Sequence, residues 1–295
     1  VVAAEVEPYE DTATDEPLLA TPPTPSPVVE ESTVQELGLT RWTLGNGVRV
    51  LLKPTDFKED EVLFQAYSPG GFSLSSEEDH MSASNAAQVV ALGGVGSFSQ
   101  VDLGKKLAGK AVSVSPSIGE LSEGLSGSAS PKDLETLFQL IYLYFTQPRE
   151  DSVAFRAMQQ QMGAFLANRN ASPVAAFQDT VTVTMAQGHP RARPISMELL
   201  QEVDLDEAFA FYKDRFADAS DFSFVFAGAF QPEGIKPLVE TYLGGLPSIH
   251  RDETWRDLDI DPPVGVIRKE VRRGVEPQSQ TQVIFTGPFE YSPEN

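Results

Sequence analysis

In a chain with no cysteine, the residues to search first for chemistry are the imidazoles, the clustered carboxylates and the glycine-rich turns. His80, His189 and His250 are the only histidines. They fall on three separate stretches without H-x-x-x-H or H-x-x-E-H spacing, so a shared metal site is not expected. The absence of cysteine removes disulfides, thiolate ligands and cysteine nucleophiles, and leaves the redox compartment open. Glu77-Glu78-Asp79-His80 has donors for a divalent cation, but consecutive residues on a helix or strand point apart, and a solvated acidic loop is the competing reading. His189 lies in G-H-P-R-A-R-P, where Arg191 and Arg193 either grip a carboxylate or phosphate or flank a structured turn. Gly70-Gly71 and Gly93-Gly94 match neither the P-loop nor G-x-G-x-x-G, and Ser126-Gly127-Ser128 sits in a strand pattern, not at a nucleophile elbow. Asn170-Ala171-Ser172 is a formal glycosylation acceptor. None of these residues is assigned a catalytic, cofactor-binding or metal-binding role.

The elements that would position such groups are readable from periodicity. Residues 82–96, S-A-S-N-A-A-Q-V-V-A-L-G-G-V-G, predict a buried small-residue helix stopped by Gly93-Gly94. An amphipathic run over 99–109 follows. Trp42 and Leu44, then Asn46-Gly47, then Val48, Val50 and Leu52 predict a β-hairpin. Further strands are expected over 61–67, 111–116, 121–129 and the phenylalanine-rich 222–230.

Ser130-Pro131 opens a helix with an apolar stripe from Leu134 to Phe145. The next helix starts near Ser152 with Phe155, Met158, Met162, Phe165 and Leu166 expected inward, and a third starts at Ser172-Pro173 with Ala176, Phe177 and Val181 inward. Asp204 with Glu207 is a capping-box-like start, and Pro232 opens a helix closed by Gly244-Gly245. The order predicts an α+β domain, an antiparallel-rich sheet of about five to six strands with helices packed on it.

Composition bounds the partners. With 22 basic and 43 acidic residues the net charge is −21, which argues against a nucleic-acid or anionic-membrane partner. No run reaches the roughly 20 apolar residues of a membrane helix. Residues 1–40 are acidic and carry T-P-P-T-P-S-P, reading as an interdomain linker, with a proline-rich recognition ligand as the alternative. The division expected is this linker, an α+β domain over 41–250, a second linker over 251–263, and over 264–295 the truncated start of a following repeat. The last rests on a β-like pair, 264–271 and 281–286, whose T-Q-V-I-F-T-G-P-F echoes E-V-L-F-Q-A-Y-S-P-G at 61–70.

The phrases L-G-N-G-V-R-V-L-L-K at 44–53, Y-S-P-G-G at 67–71, Q-G-H-P at 187–190, Y-K-D-R-F-A at 212–217, F-V-F-A-G-A-F at 224–230 and Y-L-G-G-L-P at 242–247 occur in one order. In that order the chain resembles the insulinase/pitrilysin family of zinc peptidases. The resemblance implies tandem α+β units around a peptide chamber, with zinc held by H-x-x-E-H in one unit. Laid on this chain, the motif's first His falls at Asn85, its Glu at Gln88 and its second His at Val89. Val89 has no ligand atom and Gln88 cannot act as a general base.

The resemblance therefore implies a non-catalytic repeat, inactive by itself, and the first unit of the C-terminal half of a longer metalloendopeptidase. It implies zinc in the parent protein only, other repeats and peptide or unfolded polypeptide as partners, and a periplasmic or extracytoplasmic location in a bacterium. Two alternatives stand beside it. One is a structural or binding protein of the same repeat family with no peptidase activity, like a processing-peptidase core subunit. The other is an unrelated acidic domain binding a cation or small molecule at Glu77–His80.

Overall fold

The computed structural model describes residues 16–169, 171–275, 278–287 and 292. Asn170 lies outside the described residues, as do residues 1–15 of the acidic segment. The chain divides into two compact units. One runs up to Met158 and resumes over Glu202–Arg256; the other comprises Gln159–Gln201 and the chain from Asp257 onward.

The first unit is built on a seven-stranded sheet in the order β1-β2-β3-β7-β4-β6-β5. The strands are β1 (Val28–Val34), β2 (Leu39–Leu44), β3 (Arg49–Pro54), β4 (Val62–Pro69), β5 (Val112–Ile118), β6 (Ser122–Ala129) and β7 (Ser223–Gly228). All neighbours are antiparallel except β3 and β7. The expected sheet of five to six strands is thus one strand too small. The extra strand, β1, comes from the stretch read as linker: V-V-E-E-S-T-V has β-branched residues but no apolar–polar alternation, and it is a strand because it pairs along β2 at the sheet edge. Leu18 and Leu19, also in that stretch, pack against the core.

The β2–β3 hairpin forms through Asn46-Gly47 as a three-residue loop, because Leu44 and Val48 already pair and Gly47 takes φ +87°. One sheet face is covered by α1 (His80–Gly93) and α3 (Leu134–Thr146), with α7 (Leu205–Arg215) against α1 and a π-helical turn over Val239–Leu243 against α3. Val50, Leu52, Phe64, Phe224, Phe226 and Leu125 point into this layer. Phe226 lies 5.1 Å from Phe64 and 5.0 Å from Phe138, ring centroid to centroid, so the aromatic strand at 222–230 supplies the centre of the core. Two short helices complete the unit: α2 (Gln100–Lys106), capped by Ser99, and α8 (Pro232–Leu238).

The helix α4 (Ser152–Arg169) starts in the first unit and ends in the second, which also holds α5 (Pro173–Met185) and α6 (Met197–Gln201). Two of the expected stripes are corrected here. Phe165 is 58% exposed while Leu166 is buried, so a periodicity spread over five apolar positions does not all face one way. No residue of α5 is buried. The segments 264–271 and 281–286 form no strand, since a lone pair without a third strand holds no ladder. They line a groove of about 180 Å³ with Phe177, Val181 and Met185 of α5.

Candidate functional site

The small-residue helix is where the sequence directs attention, and α1 places its motif positions apart. Asn85 Nδ2 donates to the Met81 carbonyl at 2.8 Å, four residues back along its own helix. Gln88 is exposed and Val89 is buried in the core. Alanines 83, 86 and 87 and Val90 are instead buried, and α1 packs closely against α7. Ser82 completes that contact: its Oγ donates to Glu207 Oε2 at 3.0 Å and accepts the Asp204 N–H at 3.0 Å. Asp204 also caps α7 through the Glu207 N–H, so the capping-box-like start is present, with the glutamate carboxylate turned to Ser82. A zinc ion does not fit these residues: one amide is committed to the backbone, one faces solvent, and the third position is a hydrocarbon.

The three histidines occupy unrelated settings. His80 opens α1, buried, with its ring edge-on to Phe72 at 5.4 Å. His189 caps a turn over Pro190–Ala192 by accepting the Arg191 N–H, and His250 takes φ +56° beside Gly47. The G-H-P-R-A-R-P stretch is therefore a structured turn. In Glu77-Glu78-Asp79-His80 the Asp79 carboxylate is held by the Ser76 hydroxyl and His80 turns inward. Among the described residues no group of three or more His, Asp or Glu is placed to hold a metal ion.

A buried charged cluster that sequence reasoning missed lies at one end of the sheet. Glu123, on the covered face of β6, accepts the Gly71 N–H at 2.6 Å. Burial pushes its carboxyl up to about 7, with the Gly71 N–H and the Arg215 charge pulling the other way. Arg215, 5% exposed, meets Glu253 through two nitrogens at 2.8 and 3.1 Å and also pairs with Asp214. Asp221 is likewise pushed up to about 6, by burial and then by the Asp218 charge. Asp218, buried, accepts from Ser220, from the Ile249 N–H and from the Arg251 N–H, while the Arg256 N–H bonds Ser73 Oγ. The stretch 249–256 is thus strapped onto the first unit, and the linker expected over 251–263 begins as part of it. Partners 52 residues apart for Gly71 and Glu123, 38 for Arg215 and Glu253 and 183 for Ser73 and Arg256 left no local pattern to find.

The other sheet face is open. Side chains from six strands form rows across it: Arg49, Ser223 and Tyr67; Arg41, Leu51, Val225 and Gln65, continuing into Ser126 and Ser115; and Lys53, Ala227 and Leu63, continuing into Ser128 and Ser113. Leu63 is 52% and Tyr67 48% exposed. The rows run from basic residues on β2 and β3, through apolar ones on β7 and β4, to serines on β6 and β5. None of the described outward side chains from β2 to β5 is a carboxylate.

The α+β layer has no metal ligand at Asn85 and Val89 and no general base at Gln88, the positions to which the resemblance to zinc peptidases assigns them. Comparison with known proteins is consistent with it. No protein-family model matches the chain. An Arabidopsis thaliana protein named zinc protease PQQL-like is 30% identical over 291 residues, covering 95% of this chain and 28% of that protein. The structure of the periplasmic protease PqqL from Escherichia coli superposes with a TM-score of 0.73 at 21% identity, over 88% of this chain and 28% of that one. A mutant of the ferredoxin protease FusC in complex with Arabidopsis ferredoxin gives 0.70 at 19% identity, over 83% and 27%. A peptidase M16 inactive domain from Pseudomonas fluorescens gives 0.57 at 14% identity, over 74% and 53%. The chain belongs to the insulinase/pitrilysin, or M16, family, and spans little more than a quarter of the first of these relatives.

Proposed function

We propose that this chain is a non-catalytic part of a multidomain zinc metalloendopeptidase, forming a wall of its peptide chamber. In this reading the repeat is the domain over 41–250, extended by β1 and by the strapped stretch up to Arg256, and is the first unit of the C-terminal half, with 264–295 beginning the next. The observation that carries this reading is the uncovered sheet face: seven strands wide, helix-backed on the opposite side, with Leu63 and Tyr67 half-exposed at its centre. A face of that kind offers apolar contact and hydroxyls to an unfolded polypeptide, without a group to cut it.

Zinc and hydrolysis belong, in this reading, to another repeat of the parent chain, and the other repeats are partners. Protein substrates fit the ferredoxin complex of FusC, and a periplasmic or extracytoplasmic location fits PqqL. No helix among the described residues is long and apolar enough to cross a membrane.

The test uses the 295-residue chain, a fluorescent unfolded polypeptide and elemental analysis. Binding without cleavage, unchanged by chelator and without stoichiometric zinc, is the expected result. Chelator-sensitive cleavage, stoichiometric zinc, or no binding each overturns the assignment.

A further inference from the structure

The open sheet face departs from the rest of the chain in its charge. The protein has about two acidic residues for every basic one, 43 against 22, yet the outward positions from β2 to β5 hold Arg41, Arg49, Lys53 and no carboxylate. The three cations sit together because Arg41 pairs across β2–β3 with Leu51, whose strand neighbours on the same face are Arg49 and Lys53. Their polar partners are neutral where they are described. Arg49 donates to the Asp221 carbonyl at 2.8 Å and to Ser223 Oγ at 3.4 Å, and Lys53 Nζ donates to the Leu37 carbonyl. These contacts hold Arg49 and Lys53 on the face; on the flanking edge strand β1, Glu30, paired with Thr43, is the one described strand carboxylate turned the same way, so three cations stand against one carboxylate. Beside them lies the apolar strip of Leu51, Leu63 and Tyr67.

We infer that this face binds acidic, partly apolar polypeptide segments, with carboxylates placed at Arg41 and Arg49 and apolar side chains over Leu63 and Tyr67. This rests on the chamber-wall reading and adds a substrate preference to it. Charge complementarity selects the occupant. A basic segment would be drawn to nearly any other part of this acidic surface, and here it would face three cations. A nucleic acid has no side chains to lay over the apolar strip, and three cations are a small footprint for its phosphates. At about 0.15 M salt the screening length is roughly 8 Å, so a segment lying on the face responds to Arg41 and Arg49 and not to the distant acidic surface.

The experiment measures fluorescence anisotropy of three labelled peptides that share one apolar pattern and carry Glu, Gln or Lys at the polar positions. With the intact chain at about 0.15 M salt, the Glu peptide is expected to bind about tenfold more tightly than the Lys peptide, and the gap should shrink to under about twofold at 0.5 M salt. The exposed Arg41→Glu/Arg49→Glu variant should reverse the order, and Arg41→Gln/Arg49→Gln should abolish it; unchanged melting curves would show that both fold. Equal binding of the Glu and Lys peptides, or an order unchanged in both variants, overturns the preference. If all three peptides bind equally and Leu63→Ser/Tyr67→Ser weakens them alike, the acidic preference fails while the wall reading survives. If none binds, both fail.

Discussion

Glu123 Oε2 accepts the Gly71 N–H at 2.6 Å, joining the covered face of β6 to the glycine loop that leaves β4. Arg215, Asp221 and Glu253 act on the same carboxyl. Burial pushes it up to about 7, so the folded chain prefers the protonated form that the unfolded chain gives up at an ordinary carboxyl pKa.

The sign of the pH effect follows. An acid whose pKa is higher in the folded state contributes fully below its unfolded value, and the contribution is lost as pH rises toward 7. Glu123→Gln keeps an oxygen for the Gly71 N–H and removes the ionisation. It should stabilise the chain at pH 8 by on the order of 2–3 kcal/mol and change it little at pH 4.5. Urea unfolding of both proteins at the two pH values checks this; an equal effect at both would show that ionisation of Glu123 is not the cause.

Breaking the neighbouring ion pair should cost more. Arg215→Met leaves Glu253 and Asp214 without their buried partner and removes the cation facing Glu123. A loss of about 3–5 kcal/mol is expected at pH 7. Because raised protonation of Glu123 would relieve part of that penalty, the deficit read by urea titration should be smaller at pH 5.

Two glycines separate a steric requirement from a tolerated one. A Cβ on Gly93, at the end of α1, would sit 1.9 Å from the Arg149 carbonyl oxygen. A Cβ on Gly104, inside α2, would meet nothing within 4 Å. Gly93→Ala should therefore destabilise by about 2 kcal/mol or more, and Gly104→Ala should stabilise by roughly 0.5–1 kcal/mol through helix propensity. Thermal melts of the two single variants settle the contrast, and destabilisation by Gly104→Ala would contradict the open surroundings of that site.

What was legible in the sequence divides along the range of the interactions involved. The β2–β3 hairpin, the glycine-stopped α1, the Asp204 cap and the aromatic β7 depend on neighbours in the chain, and each left its pattern. The edge strand β1 was hidden because its partner β2, not its own composition, makes it a strand. The Glu123–Arg215–Glu253 cluster joins residues far apart in sequence, so no spacing announces it. The serines of β5 and β6 read as unremarkable until the register places them on one face. The motif helix was legible as a loss: Asn85, Gln88 and Val89 could be named, although their separate fates in hydrogen bond, solvent and core needed the structure.

Asp218 provides the opposite pH dependence to Glu123. Buried, it opposes the cost of burial with donors from Ser220 and from the Ile249 and Arg251 backbone, which together hold its carboxyl below the usual range. A carboxyl lowered on folding stabilises above its unfolded pKa and loses that contribution as pH falls through it. Asp218→Asn replaces one accepting oxygen with a donor facing other donors, which should cost about 1.5–3 kcal/mol at pH 7. The deficit should narrow below about pH 4, where the unfolded chain takes up the proton first, and close as pH falls through the lower folded value. It should also appear locally: faster amide exchange at Ile249 and Arg251 in the variant would show the strap loosening, whereas unchanged exchange there would mean that Asp218 does not hold it.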